Sequence, residues 1–195
     1  MKCYGCNKIK YSFQTFNSLN FILKKVKDDK IKLLGEYYDG IDLYDAFESD
    51  QNAQELNGEN SIYCNFCNGL RTGSHQQSIH GMPSVLIIIL NRGKNNQDFD
   101  EDFKFYEILD FNKNNIIINK NSYHKFFLCG IITHLGESGS SGHFIAYCRN
   151  NINDKFLCYN DSIVTEVSVQ DAMKTNISYY DYEKITPYIL FYHKF

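Results

Sequence analysis

The sequence predicts an α+β fold, mainly antiparallel β, and three features carry that prediction. After Cys67, short segments rich in β-branched and aromatic residues follow one another between polar breaks. Before it, one stretch shows helical spacing, and two Cys-x-x-Cys pairs stand on either side of that stretch. Short β-branched runs and alternation mark strands, whereas apolar residues three and four apart mark a helix.

Cys3-Tyr4-Gly5-Cys6 forms the first pair. From Lys8 to Val26, Tyr11, Phe13, Phe16, Leu19, Phe21 and Leu23 alternate with polar residues around the turn signal Asn17-Ser18, which predicts a hairpin leaving that pair. The run Lys24 to Lys30 mixes both signs and reads as the solvated end of the hairpin. Asp39 to Phe47 sets Ile41, Tyr44 and Phe47 at helical spacing, and the polar segment Glu48 to Asn60 reads as a loop. The second pair, Cys64-Asn65-Phe66-Cys67, follows it. Beyond that, Ser84 to Leu90 reads as a central buried strand. Phe103 to Ile108, Lys125 to His134, Phe144 to Arg149, Lys155 to Tyr159, Ile163 to Val167 and Tyr188 to Tyr192 complete the strands, with one short helix at Val169 to Thr175. The asparagine-rich Asn91 to Asp98 and Asn112 to Asn121 read as polar connections.

With 195 residues, 43% of them hydrophobic, the chain has enough apolar material for a sizeable core. A net charge of −3 gives no global field favouring nucleic acid or anionic lipid, so neither is expected as a partner. The longest apolar run, Val85 to Leu90, falls far short of the roughly 20 residues a membrane span needs. No apolar signal segment precedes Cys3, which makes the reducing cytoplasm or nucleus the expected compartment.

In that compartment the two Cys-x-x-Cys pairs point to metal. A Cys-x-x-Cys turn presents two thiolates to one tetrahedral ion, so Cys3, Cys6, Cys64 and Cys67 are candidate ligands of a single structural zinc. Disulfides are the alternative, disfavoured by reducing surroundings. Residues 7 to 63 separate the pairs, so an inserted element must bring them together.

Gly142-His143-Phe144 and Tyr159-Asn160-Asp161-Ser162 form a second constellation. Seventeen residues separate His143 from Asn160, enough for one strand to return antiparallel and set the two side chains together. An imidazole oriented by an amide is two thirds of a Cys-His-Asn triad, in which the ring takes a proton from a thiol. Cys129, Cys148 and Cys158 all fall on expected strands, away from any helix N-terminus that would activate a thiol, and read as structural.

The order of these motifs carries a family resemblance. The two Cys-x-x-Cys pairs, Met82 to Arg92, Gly130-Ile131-Ile132-Thr133-His134-Leu135-Gly136, Gly142-His143-Phe144, Tyr159-Asn160-Asp161-Ser162 and Tyr188-Ile189-Leu190-Phe191-Tyr192 together resemble the ubiquitin-specific protease family of cysteine deubiquitinases. The resemblance covers nearly the whole chain. It implies part of a papain-like, hand-shaped domain, with zinc-knuckle fingers over residues 1–80 and a β-sheet palm over 81–195. It further implies ubiquitin and ubiquitinated proteins as partners, His143 as base, Asn160 as orienter and Asp161 as an assisting acid. Gly136, Gly139 and Gly142 would belong to a loop covering the ubiquitin tail, and His134, which matches a family position too, reads as a packing or loop-support residue and not a chemical one. Phe144 and Phe156 stand where the family often has Tyr and Trp. The family's Asn-x-Cys nucleophile box and helical thumb are expected to be absent from these residues. That leaves three readings: an active deubiquitinase of which this is the C-terminal portion, an inactive ubiquitin-binding module, and an unrelated zinc-ribbon interaction protein.

Overall fold

Val85-Leu86-Ile87-Ile88-Ile89-Leu90 is apolar throughout, yet only one of its faces is fully enclosed. Leu86, Ile88 and Leu90 are completely buried, while Ile87 and Ile89 are half-buried and Val85 is exposed. That asymmetry defines the molecule: one broad sheet with its core on one side. The structure, a computed structural model, describes residues 1–93, 101–112, 116, 125–138, 141–175, 178–179 and 183–195. Most of the two polar connections and Gly139 lie outside the described residues.

The N-terminal half contains β1 (Lys2–Cys3), β2 (Leu19–Ile22), α1 (Leu23–Leu34), β3 (Ile41–Asp42), α2 (Leu43–Gln51), β4 (Gln54–Leu56), β5 (Ile62–Cys64), β6 (Gly69–Arg71) and β7 (Gly73–His75). Then come β8 (Val85–Asn91), β9 (Phe103–Lys104), β10 (Ile108–Asp110), β11 (Lys125–Ser138), β12 (Ser141–Arg149), β13 (Phe156–Asn160) and β14 (Ile163–Val167). A helical turn at Val169–Ala172, β15 (Ser178–Tyr179) and β16 (Glu183–Lys194) follow. The large sheet runs β14-β13-β12-β11-β16-β8-β2, with β10 added on β11 and β15 on β16. Its pairings are antiparallel except β2 on β8, which is parallel.

The fold is the expected α+β type, with local differences. No hairpin spans Lys8 to Val26: only Leu19–Ile22 is a strand there, and α1 begins at Leu23. Tyr11 and Phe13, two of the alternating aromatics of the expected hairpin, are each 76% exposed. The charged run belongs to a helix instead of a hairpin end. Leu23 and Val26 face the core three residues apart, Lys25 pairs with Asp29 one turn on at 3.2 Å, and Lys30 reaches Asp45 of α2 at 2.8 Å. The expected loop from Glu48 gives way to the end of α2 and to β4. The strand expected over Phe103 to Ile108 divides into β9 and β10, with Tyr106 between them donating its hydroxyl to Asp42 at 2.5 Å. Asp42 also caps α2, accepting from the amides of Tyr44 at 2.8 Å and Asp45 at 3.0 Å.

Residues 19–51 are therefore built into the sheet and core formed by residues 81–195. A relay of edge-to-face rings makes the link: Phe21 to Phe47 at 5.0 Å, Phe47 to Phe111 at 4.9 Å and Phe111 to Phe126 at 5.9 Å. Among the described residues, no helix is long and apolar enough to cross a membrane. Phe126 is fully buried at the β11 end of this relay. Phe126→Ala is expected to cost about 3–5 kcal/mol, read as a lower urea midpoint at unchanged slope; a loss under about 1 kcal/mol contradicts this packing.

Candidate active site and metal centre

The register of β12 against β13 builds the first site. Ala146 stands opposite Tyr159, so Asn160 continues onto the face that Ile145, and therefore His143, occupies. The two side chains become diagonal neighbours, and His143 Nε2 lies 2.8 Å from Asn160 Oδ1. The amide oxygen can only accept, so this bond places a proton on Nε2 and leaves Nδ1 as the basic nitrogen. Asp161 Oδ2 lies 3.7 Å from the same Nε2. Asp161 occupies the turn between β13 and β14 with φ of 53°, in the left-handed region that Asp tolerates better than most residues. Its side chain is 82% exposed and that of His143 is 40% exposed, so the ring is reachable from solvent.

No cysteine makes a hydrogen bond to His143 among those identified in the described residues. Cys148 lies five positions along the same strand and so points to the opposite face. The Cys129 thiol donates to the Phe191 carbonyl at 3.3 Å, and burial pushes its pKa up. Burial also raises Cys158. A raised pKa is the opposite of what a nucleophilic thiol needs.

Gly136 and Gly142 sit where β11 turns into β12, with φ of 146° and 148°, and the pairing shifts register between Leu135 and Ser138. His134 is not on the His143 face. It is buried, directly opposite Phe144, in a cluster with Phe144 and Tyr188.

The two Cys-x-x-Cys pairs, far apart in sequence, meet in space. Their four sulfurs all lie within 4.8 Å of one another, with Cys3 to Cys67 at 3.9 Å and Cys6 to Cys64 at 3.7 Å. A tetrahedral zinc with Zn–S bonds of about 2.3 Å requires sulfurs about 3.8 Å apart, so the donor set fits one ion. Both turns are built alike, because Asn7 and Asn68, each directly after a second cysteine, have φ of 58° and 49°. The backbone N–H of Cys67 donates to the Cys64 sulfur and holds its pKa down to about 7. Burial, reinforced by the neighbouring sulfurs, pushes Cys67 up to about 12. Four thiols so crowded cannot all ionise unless a cation lies between them. Gly5 admits Arg71 to this cluster: a Cβ there would stand 3.1 Å from Arg71 Cδ and 3.3 Å from Cys67 Sγ.

A sheet that brings an imidazole and an amide together, in a chain that also folds a four-cysteine knuckle, defines a papain-like α+β fold. The ubiquitin carboxyl-terminal hydrolase family model matches residues 1–192, and the chain belongs to that family, within its ubiquitin-specific proteases. Ubiquitin carboxyl-terminal hydrolase 9 of Saccharomyces cerevisiae is 26% identical over 200 residues, covering 98% of this chain and 24% of its own length. The human Ubl carboxyl-terminal hydrolase 18 is 29% identical over 164 residues, covering 78% of this chain and 43% of its own. Among solved structures, a SAGA DUB module of Ubp8, Sgf11, Sus1 and Sgf73 bound to monoubiquitin contains a chain that matches all of this one. It does so at TM-score 0.74 and 25% identity over 39% of its own length. The chain thus spans well under half the length of these relatives.

Replacing Cys64 by Ser is expected to reduce bound zinc, measured by atomic absorption after gel filtration, from one per chain to substantially less than one, and to lower the thermal midpoint. Full zinc occupancy in Cys64→Ser would contradict a four-sulfur site.

Proposed function

We propose that the chain supplies the proton-transfer half of a cysteine-type deubiquitinase, which releases ubiquitin from protein conjugates. The observation that carries the proposal is the 2.8 Å contact between His143 Nε2 and Asn160 Oδ1, which leaves Nδ1 free to act as base. A thiol from residues outside these 195 gives its proton to Nδ1 and attacks the carbonyl carbon of the last ubiquitin glycine. The imidazolium then protonates the departing lysine amine, and the acyl-enzyme is hydrolysed by a water that the same ring deprotonates. Asn160 holds the ring and its tautomer through both steps. Asp161, 3.7 Å away and exposed, adds negative charge beside the imidazolium.

The loop containing Gly136, Gly139 and Gly142 covers the ubiquitin tail in this reading. Cys3, Cys6, Cys64 and Cys67 hold one zinc ion, whose part is to tie the fingertip strands β1, β5, β6 and β7 together; no catalytic step passes through it. The fingers of residues 1–80, as far as they extend beyond the sheet, and the palm of residues 81–195 grip the ubiquitin body. None of the seven cysteines is disulfide-bonded, which leaves the four knuckle sulfurs available to the ion.

A second reading follows from the cysteine positions. Because the thiols of Cys129 and Cys158 are held protonated and Cys148 faces away, these 195 residues by themselves would bind ubiquitin without turning it over. One experiment tests both. The 195-residue chain is expected to bind ubiquitin and to release no fluorophore from a ubiquitin C-terminal amide. The same residues within the longer protein are expected to release it, with kcat/KM falling by about 10³-fold or more in His143→Ala. Turnover unaffected by that substitution overturns the proposal.

A further inference from the structure

We infer that His134 is a positioning residue for His143: its buried ring fixes the backbone on both sides of His143 and so sets the direction in which that imidazole leaves the strand. This role presupposes His143 as the base proposed above.

His134 lies on β11, opposite Phe144 on β12 and Thr186 on β16. Strand alternation puts its side chain on the sheet face away from His143, so it touches none of the reacting atoms. Only 3% of the residue is exposed. Two walls of its enclosure are aromatic: Phe144 at 4.9 Å and Tyr188 at 5.8 Å, themselves packed edge to face at 5.4 Å. The third wall is the hairpin backbone. A Cβ at Gly142 would stand 2.3 Å from both Cε1 and Nε2 of the ring, and one at Gly136 would stand 3.0 Å from Cε1. Real side chains do not approach so closely, so the hairpin end is folded directly onto the imidazole edge, with left-handed glycines at both points of contact.

The contacts converge on one place. Gly142 and Phe144 are the two chain neighbours of His143, and the ring of His134 touches both. A shift of Gly142 carries the His143 Cα with it, and a 2.8 Å hydrogen bond to Asn160 is lost once it stretches much beyond 3.2 Å. A displacement of well under 1 Å at Gly142 is therefore enough to disengage the base from its orienter, which is the scale on which catalytic geometry is lost. A ring that merely filled space would support the sheet generally; this one brackets a single residue.

The experiment uses the zinc-loaded, 15N-labelled 195-residue chain and two readouts: amide hydrogen exchange at His143 and Phe144, and the His143 Nε2 proton held by Asn160. In His134→Ala, exchange at those two amides is expected to rise about tenfold or more and the ring proton to be lost, while Leu86 to Leu90 keep their protection. His134→Gln, whose amide reaches toward the same hairpin edge, is expected to restore both readouts in large part. Unchanged readouts in His134→Ala overturn the role, as does an equal loss of protection across β8 and β16, which marks a general packing residue. If His134→Ala does not fold, Gly136→Ala, which presses on the same ring from the other side, takes its place; an unshifted ring proton there also overturns the role. Asn160→Ala should remove the ring proton without accelerating the two amides. A ring proton indifferent to Asn160→Ala would instead refute the His143–Asn160 pairing, and amide exchange would still decide the part played by His134.

Discussion

One hydrogen bond between neighbouring strands, from His143 to Asn160, depends on the register of nearly everything around it. It forms because β12 and β13 are paired with Ala146 opposite Tyr159, and a slip by one residue would send one partner to the other face of the sheet. The register is fixed on the core side, where Ile145, Tyr147 and Phe156 are buried. Arg149, at the end of β12, ties down the connection to β13 through Asp154, bonded from its Nε at 2.8 Å, and reaches Glu107 at 2.8 Å. The site is therefore a property of the sheet: the hydrophobic face that makes the fold stable is also what aligns the imidazole with its amide.

The knuckle obeys a similar logic over a longer range. Sixty-four residues separate Cys3 from Cys67, and the segment between them leaves the fingertip to form β2, α1 and α2 before coming back. The excursion is anchored in the core through the Phe21–Phe47–Phe111–Phe126 relay, so the two cysteine turns return to one place as arms of a folded body. Closing so long a loop costs entropy that short strands such as β5 and β6 cannot repay alone, and a metal held by the four sulfurs would offset it.

Legibility in the sequence followed locality. Ile163–Val167 and most of β8, β11, β12, β13 and β16 were readable because their β-branched runs are bounded by polar breaks. The cysteine pairs and the histidine and asparagine motifs were readable because their chemistry is written in a few adjacent residues. The stretch from Lys8 to Val26 was misread because aromatic alternation imitates a strand when the residues are simply exposed; the helical period of Leu23 and Val26 became visible only once their buried face was known. The break between β9 and β10 depends on Tyr106 meeting Asp42, sixty-four residues away, which no local pattern encodes. The burial of His134 beneath Gly136 and Gly142 was hidden for the same reason, although two glycines flanking that hairpin hinted at a close approach.

The central claim is that Asn160 orients the imidazole that does the chemistry. Its most direct test is the pH–kcat/KM profile of Asn160→Ala and Asn160→Asp, measured on a ubiquitin C-terminal amide in the longer protein that supplies the thiol. Removal of the amide is predicted to lower kcat/KM by about 10²-fold or more, whereas a carboxylate at the same place should retain most activity and move the limb of the profile set by the histidine upward. An Asn160→Ala enzyme with wild-type kcat/KM and an unmoved profile would contradict the account.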